Sequence, residues 1–240
     1  MELEILIRKE VNKGMESAEP IFTFTVGSIP IDITINLVIQ WIIMILLIGA
    51  ALFFSKNLKE VPDKKQTIIE SFVGFIRGLV DENMGDGYKT FVPFVGTISV
   101  YLLAMNFTGL IGLKPPTQSY GVALSMGIIT FLVIQGYTIK KLGLLHYFAG
   151  YGKPFAVMLP LNLLERVMLP VSLSLRLFGN MFAATYIMSM AYSSLDKIGW
   201  IAQIGLPIPL HLYFDVFDGT IQMIIFLMIS MINIKVIAEH

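Results

Sequence analysis

The sequence predicts an all-α protein that crosses the membrane about five times and has one further amphipathic helix at the interface. Hydrophobic residues make up 55% of the 240 positions and charged residues only 14%, whereas a soluble domain has about a quarter charged residues. Apolar runs of about 20 residues, the length that a membrane-crossing helix needs, recur along the chain. Backbone groups in lipid must be satisfied internally, so these spans are predicted to be helices.

Five membrane helices are predicted in a single domain over 1–240, at 31–54, 91–113, 121–139, 160–195 and 201–236. From residue 33 onward, the first three are free of charged residues, while the last two contain isolated ionisable ones. The last two exceed the length of a simple crossing. We therefore expect them to tilt strongly or to lie partly along the bilayer.

The segment 66–82 has a different pattern from the membrane helices. Its apolar residues recur at helical spacing, while Glu70, Arg77 and Asp81 occupy the other positions. This pattern predicts an amphipathic helix at the cytoplasmic interface. A docking surface for another subunit is an equally open interpretation of the same pattern.

The distribution of lysines predicts the orientation of the chain. The loops after the first and third membrane helices contain Lys56, Lys59, Lys64, Lys65, Lys140, Lys141 and Lys153, whereas the loop 114–120 contains one lysine. The positive-inside rule places the lysine-rich loops in the cytoplasm. The N-terminal segment 1–30 is then extracytoplasmic and the C-terminus cytoplasmic. Because 1–30 lacks the order of a signal peptide, we expect the mature protein to keep it.

Several classes of function are excluded by composition and motif. The chain has no cysteine, so disulfides, thiolate metal sites and cysteine nucleophiles are excluded. Its formal net charge is zero, which does not favour nucleic-acid binding. Phosphate-binding loops and the metalloprotease motif are absent from the sequence. We expect no cofactor, no metal and no direct nucleotide binding.

Arg176 is a charged residue in the otherwise uncharged stretch 167–195. A guanidinium does not lose its proton at ordinary pH and costs roughly 2.5–3.5 kcal/mol near mid-membrane, so a chain that keeps one there usually uses it. Asn180 lies one turn away and can orient the arginine. A buried structural ion pair is the alternative. Residues at spacings of three and four are predicted to share its face: Leu169, Ser172, Leu173, Gly179, Asn180, Ala183 and Ala184.

Asp215, Asp218 and Gln222 form a polar stripe on the last predicted helix. Their spacings of three and four place them within about 60° of one another on an α-helix, and His211 lies one turn earlier. Such a stripe can hold water and pass on protons or cations. Alternatively, one aspartate pairs with Arg176 and the other groups satisfy each other. His211 alone, near a helix end, is more typical of a hydrated surface histidine.

The run from Ser172 to Ala183, Ser-Leu-Ser-Leu-Arg-Leu-Phe-Gly-Asn-Met-Phe-Ala, closely resembles the signature of subunit a of bacterial F-type ATP synthases. Further matches keep the family's order and cover most of the chain: Asn106-Phe-Thr-Gly-Leu, Pro116-Thr117, Pro160-Leu-Asn162 with Glu165, and Gly219-Thr-Ile-Gln222. The resemblance implies a non-nucleotide-binding subunit of an ATP synthase in a bacterial plasma membrane.

The resemblance also implies a mechanism and partners. Subunit a stands beside a rotating c-ring, with the peripheral-stalk subunit b as a further partner. One aqueous half-channel loads an ion onto a ring carboxylate from outside, and a second releases it to the cytoplasm. Arg176 separates the two, because a fixed positive charge favours the ionised carboxylate and repels cations, and Gln222 faces the arginine. H⁺ is the expected ion, with Na⁺ as the alternative.

The chain departs from the family pattern at several positions. Thr185 stands nine residues after the arginine, where many relatives have Glu or His, and Ser119 stands where many have Asp. Asp215 lies seven residues before the glutamine, and Asp218 replaces a usually apolar residue. We therefore expect Asp215 and Asp218 to provide the acidic groups of the outer half-channel. Further expected positions on the ion pathway are Asn180, His211, Thr185, Glu165 and Ser119.

Two other functions compete with this interpretation. An ion-coupled secondary transporter would have internal repeats or broken helices around a midplane site, and no repeat is visible in the sequence. A purely structural membrane scaffold would need Arg176 for assembly and not for transport.

Overall fold

The computed structural model describes residues 20–26, 29–56, 58–144, 147, 159–196 and 207–239. Within these ranges, five helical segments are long and apolar enough to cross a membrane: Ile35–Ser55, Asp86–Ile111, Tyr120–Leu142, Leu159–Leu195 and Pro207–Ala238. The predicted all-α polytopic class is confirmed. Residues 1–19 of the N-terminal segment and the start of the last predicted helix, 201–206, lie outside the described residues.

A β-hairpin precedes the first membrane helix and was not predicted. Strands β1 (Pro20–Val26) and β2 (Ile29–Thr34) pair antiparallel. Both are rich in β-branched and aromatic residues, which favour strands. Because β2 continues to Thr34, the first helix, α1 (Ile35–Ser55), begins later than the predicted start at residue 31.

Helix α1 lies at the periphery and α2 (Lys64–Met84) is the amphipathic helix. In α1 only Ile39 and Ile43 are buried, so most of its apolar surface points away from the rest of the chain. In α2 the buried residues Ile76, Val80 and Met84 recur every four residues, as an amphipathic helix requires.

The second membrane-crossing segment is interrupted at its C-terminal end. Helix α3 (Val92–Asn106) follows a 3₁₀ turn at Asp86–Phe91 and leads into another at Phe107–Ile111. The Thr108 hydroxyl donates to the Met105 carbonyl oxygen at 2.7 Å, and such bonds compete with the helical ladder. Gly112 ends the segment with a left-handed φ of 77°. This break positions Gly109 beside the last helix.

Helices α4 (Tyr120–Leu142) and α5 (Leu159–Asp196) form the most extensive helix–helix contact. A Cβ at Gly127 of α4 would lie 2.6 Å from the Pro170 carbonyl oxygen of α5, so only glycine permits this approach. Helix α5 has 38 residues, or about 57 Å. The hydrocarbon core is about 30 Å thick, so a helix of this length must tilt or run partly along the interface.

The last membrane segment combines two α-helices and a π-helical section. Helix α6 (Pro207–His211) leads into π-helical Leu212–Asp218, and α7 (Gly219–Glu239) follows. Helix α7 occupies the centre of the molecule and contacts α2, α3, α4 and α5. Its Met231 and Ile234 are completely buried. The start of α7 is therefore enclosed by several neighbouring elements.

Candidate functional site

Arg176 projects from α5 away from the packed core of the described residues. Its neighbours Leu173 and Leu177 are each only 2% exposed, whereas Arg176 is exposed, like Leu175 on the same side. Among the described residues, no hydrogen bond or ion pair to the guanidinium exists. In a membrane helix such a charge needs a partner, and this chain does not supply one in the part described.

The predicted face around Arg176 is divided by burial. Leu173 and Ala184 point into the core, while Ser172 and Ala183 are exposed and Asn180 is half-buried. The predicted residues span roughly 140° at 100° per residue, which is wider than the outward face. Arg176 therefore belongs to a narrower outward stripe of mostly small residues. The prediction was wrong to include Leu173 and Ala184 in that outward stripe, because both are buried.

Gln222 is buried in α7, with 5% of its surface exposed. Helices α5 and α7 contact each other, yet among the described residues no hydrogen bond joins Gln222 to Arg176 or to Asn180. The pairing of Gln222 with the arginine therefore stays a prediction.

Asp215 is the centre of a polar cluster at the start of the last membrane segment. Its Oδ2 lies 2.6 Å from His211 Nδ1, and His211 Nε2 lies 3.1 Å from the Tyr192 hydroxyl. Exposure falls along this series, from 39% at Tyr192 to 7% at Asp215. The three side chains connect the surface at the end of α5 with a buried carboxylate.

This cluster corrects two of the open interpretations. His211 is not a hydrated surface histidine, because both ring nitrogens have partners. Neither aspartate pairs with Arg176 in the part of the chain that the structure describes, and Asp215 pairs with His211 instead. Tyr192 was missed by the sequence analysis. No local pattern could have found it, since its contact with His211 crosses from α5 to α6.

The backbone of Gly109 gives Asp215 its space. A Cβ on Gly109 would lie 2.6 Å from Cγ and from both carboxylate oxygens of Asp215. These distances are shorter than van der Waals contact, so any larger residue at 109 must displace the carboxylate. The 3₁₀ turn at the end of α3 therefore forms one wall of the Asp215 site.

The π-helical section changes the predicted polar stripe. A π-helix bonds i to i+5, and its looser turn rotates successive residues by less than the α-helical 100°. Asp215 and Asp218 both lie in this section, so the predicted 60° spread does not hold between them. Asp215 is buried and Asp218 half-buried. In the described residues Asp218 has no ion pair.

Asn106 fixes the end of the π-helical section. Its Nδ2 donates to the Gly219 carbonyl oxygen at 3.0 Å, and its Oδ1 accepts from the Thr117 hydroxyl at 3.1 Å. Asn106 and Thr117 are completely buried. Because a buried amide without partners is costly, this network pins α3, the Pro116–Gln118 turn and α7 together.

The other predicted pathway residues lie apart from this cluster. The Thr185 hydroxyl donates to the Met181 carbonyl oxygen of its own helix at 2.9 Å. Glu165 is exposed, and Ser119 is half-buried at the start of α4. No hydrogen bond within the described ranges links these three to Asp215 or Asp218. In the same ranges no three His, Asp or Glu side chains come together as a metal site.

Comparison with known proteins identifies the family. The ATP synthase A chain family matches residues 37–235. ATP synthase subunit a from Moorella thermoacetica is 33% identical over 217 residues, which are 90% of this chain and 95% of that one.

Two further relatives belong to the same family of ATP synthase subunits. ATP synthase subunit a, sodium ion specific, from Propionigenium modestum is 30% identical over 238 residues, covering 92% of this chain and 78% of that one. ATP synthase subunit a 2 from a Bradyrhizobium species is 28% identical over 206 residues, which cover 85% of this chain and 89% of that one. With its five apolar helices and an arginine directed outward from the fourth, the chain belongs to the ATP synthase A chain family.

Proposed function

We propose that this chain is the ion-conducting stator subunit beside a c-ring, with Arg176 facing the carboxylate of each ring subunit as it passes. The observation that supports this most is the outward position of Arg176, with no partner among the described residues. Lipid alone would leave a guanidinium without compensation. A carboxylate on a neighbouring subunit offsets the free-energy cost of desolvating the Arg176 guanidinium. Because that carboxylate moves past with the ring, Arg176 needs no permanent partner within its own chain.

Asp215 is our candidate for the acid of the outer half-channel. Tyr192, His211 and Asp215 form a hydrogen-bonded series that leads from an exposed to a buried group. Histidine can release a proton from one ring nitrogen while it accepts one at the other. Asp218, Gln222 and Asn180 are the next proposed groups toward the arginine, and Thr185, Glu165 and Ser119 stay as further proposed positions on the pathway.

The orientation and partners are inferred from charge and exposed apolar surface. We infer a bacterial plasma membrane with the N-terminus outside and the C-terminus in the cytoplasm. Lys56, Lys89, Lys141 and Lys235 lie at the ends of segments that this orientation places inside, and Lys114 lies at the opposite end. The exposed apolar face of α1 is available to peripheral-stalk subunit b as well as to lipid.

H⁺ is the coupling ion we propose, with Na⁺ as the alternative. The relative from Propionigenium modestum, which is named as sodium ion specific, keeps the alternative open. Carboxylates such as Asp215 can serve either ion. ATP hydrolysis by the complete complex, measured against Na⁺ concentration at several pH values, separates them. Activation by Na⁺ at alkaline pH would identify Na⁺, and insensitivity to Na⁺ would identify H⁺.

The proposal is tested by Arg176→Ala in the complete complex. We expect normal assembly and loss of ATP-driven ion transport, while Arg77→Ala on the exposed face of α2 serves as the matched control. Failure of Arg176→Ala to assemble, with transport in proportion to the assembled complex, would support a scaffold. Ion movement by the purified chain alone in liposomes would support a secondary transporter.

A further inference from the structure

A buried hydrogen-bond network joins three separate parts of the chain at the residue where the π-helical section ends. Asn106 is the last residue of α3, Thr117 lies in the turn before α4, and Gly219 is the first residue of α7. The Thr117 hydroxyl bonds to the Asn106 amide, and this amide bonds to the Gly219 carbonyl oxygen. The network therefore acts on one particular peptide group of the last membrane segment.

The chemistry of the two bonds allows one orientation of the Asn106 amide. The Gly219 carbonyl oxygen can only accept a hydrogen bond, so the amide nitrogen must face it. The amide oxygen then faces Thr117, whose hydroxyl can donate. Without that hydroxyl the buried amide oxygen would lose this partner, and a buried polar atom without a partner is costly. Thr117 thus holds Asn106 in the orientation that binds Gly219.

Gly219 is held on both sides of its α-carbon. A Cβ at this position would lie 3.1 Å from Asn106 Cβ, which is closer than ordinary van der Waals contact, so the close approach of Asn106 depends on glycine. The Gly219 N–H donates to the carbonyl oxygens of Phe214 and Val216 in the π-helical section. The N–H is therefore fixed by the π-helical section and the carbonyl by Asn106.

The direction of the Asp218 side chain depends on this peptide group. Asp218 is the last residue of the π-helical section and directly precedes Gly219. It is half-buried, and within the described ranges no hydrogen bond or ion pair holds its carboxylate. Asp215, in contrast, is held by His211. The backbone at Gly219 therefore determines where the Asp218 carboxylate points, and how it lies relative to Gln222 one turn later.

We propose that Asn106 and Thr117 are positioning residues for ion transfer through Asp218. The network fixes the Gly219 peptide, the peptide directs the Asp218 carboxylate, and this carboxylate exchanges the ion with Asp215. Asn106 and Thr117 act through the backbone alone, because an amide and an alcohol do not ionise at ordinary pH. The inference rests on the proposed function, in which Asp218 lies on the ion pathway.

The test compares Thr117→Val with Thr117→Ser in the complete complex. Valine has the shape of threonine without the hydroxyl, whereas serine keeps the hydroxyl. We expect ATP-driven ion transport per assembled complex to fall roughly tenfold in Thr117→Val, as the loss of one buried hydrogen bond predicts, and to be largely restored in Thr117→Ser. The matched control is Thr138→Val, which should transport normally. The buried Thr138 hydroxyl donates to the Ile134 carbonyl oxygen of its own helix at 2.9 Å.

A double variant separates positioning from a purely structural role. If Thr117 acts through Asp218, adding Thr117→Val to Asp218→Asn causes no further loss of transport. Losses that multiply would overturn the inference, as would equal transport by Thr117→Val and Thr138→Val while Asp218→Asn is impaired. Normal transport by Asp218→Asn would overturn both the inference and the proposed function of Asp218.

A second variant changes the same contact from the Gly219 side and keeps both hydrogen-bonding side chains. Gly219→Ala places a methyl group 3.1 Å from Asn106 Cβ, so it should also lower transport per assembled complex. Its control is Gly136→Ala, where the added methyl meets open space. If Thr117→Val does not assemble, equal transport by Gly219→Ala and Gly136→Ala would overturn the inference, and a selective loss in Gly219→Ala would support it.

Discussion

At the scale of single residues, the Asp215 carboxylate is held from two directions. His211 contacts one of its oxygens at 2.6 Å, and the Gly109 backbone lies against the whole carboxylate group. A carboxylate that is 7% exposed costs free energy unless it is paired, and the imidazole provides that partner. The Asp215 site is therefore formed by the His211 side chain, one turn earlier in the same segment, and by the Gly109 backbone at the end of another segment.

We predict that Asp215→Asn lowers coupled ion transport by roughly tenfold or more. The amide fills the same space and still bonds to His211, but it cannot take up and release an ion. ATP-driven transport in membrane vesicles, normalised to assembled complex, measures the effect. Asp86→Asn, at an exposed carboxylate, is the control and should transport normally. Unchanged ion-driven ATP synthesis in Asp215→Asn would remove Asp215 from the pathway.

We predict that Gly109→Ala reproduces much of the Asp215→Asn defect without removing any ionisable group. The added methyl would lie 2.6 Å from the carboxylate, so the carboxylate must move away from its present position. The control is Gly87→Ala, also in a 3₁₀ turn, where an added Cβ meets nothing within 4 Å. If both variants transport equally, Gly109 does not position Asp215.

The sequence predicted the residues of this site better than their contacts. Arg176 and Asp215 are ionisable groups in apolar helices, and that pattern can be recognised from the amino-acid sequence alone. Tyr192 and Gly109 have no such pattern, since each matters only because a distant helix brings it to Asp215 or His211. His211 was underestimated because its partner Tyr192 precedes it by 19 positions in another helix.

At the scale of the elements, the π-helical section and the close packing of α4 on α5 determine where polar groups point. The α-helical period could not predict the π-helical turn, which changes the angle between Asp215 and Asp218. Asn106 holds the Gly219 carbonyl at its end. Helix α2 spans Lys64–Met84, where the sequence predicted 66–82, and α4 spans Tyr120–Leu142, where it predicted 121–139. A glycine with positive φ follows each of the two helices.

We predict that Gly127→Ala destabilises the protein by about 1–3 kcal/mol, as overpacking of a close contact does. The Pro170 carbonyl oxygen would lie 2.6 Å from the new methyl group, and this neighbour is backbone that cannot rotate away. Thermal unfolding in detergent measures the change. Gly136→Ala in the same helix has open space and should be neutral or slightly stabilising. Equal unfolding temperatures for the two variants would contradict the packing argument.

At the scale of the whole molecule, the fold separates two surfaces of α5. One surface carries Leu173, Leu177 and Met181 into the core, and the other presents Arg176 outward between Ser172 and Ala183. Small residues on the outward surface allow another helix to approach closely. We propose that a carboxylate-bearing ring stands at this surface and supplies the partner of Arg176.

The most direct test of that claim is cysteine cross-linking in the assembled complex, which is favoured by the absence of cysteine from this chain. Ala183 is exposed beside Arg176 on α5, whereas the adjacent Ala184 is buried. With a cysteine placed on the facing ring helix, we predict that Ala183→Cys forms a disulfide with the ring and that Ala184→Cys does not. Equal cross-linking of both positions, or none from Ala183→Cys in an assembled complex, would contradict the account.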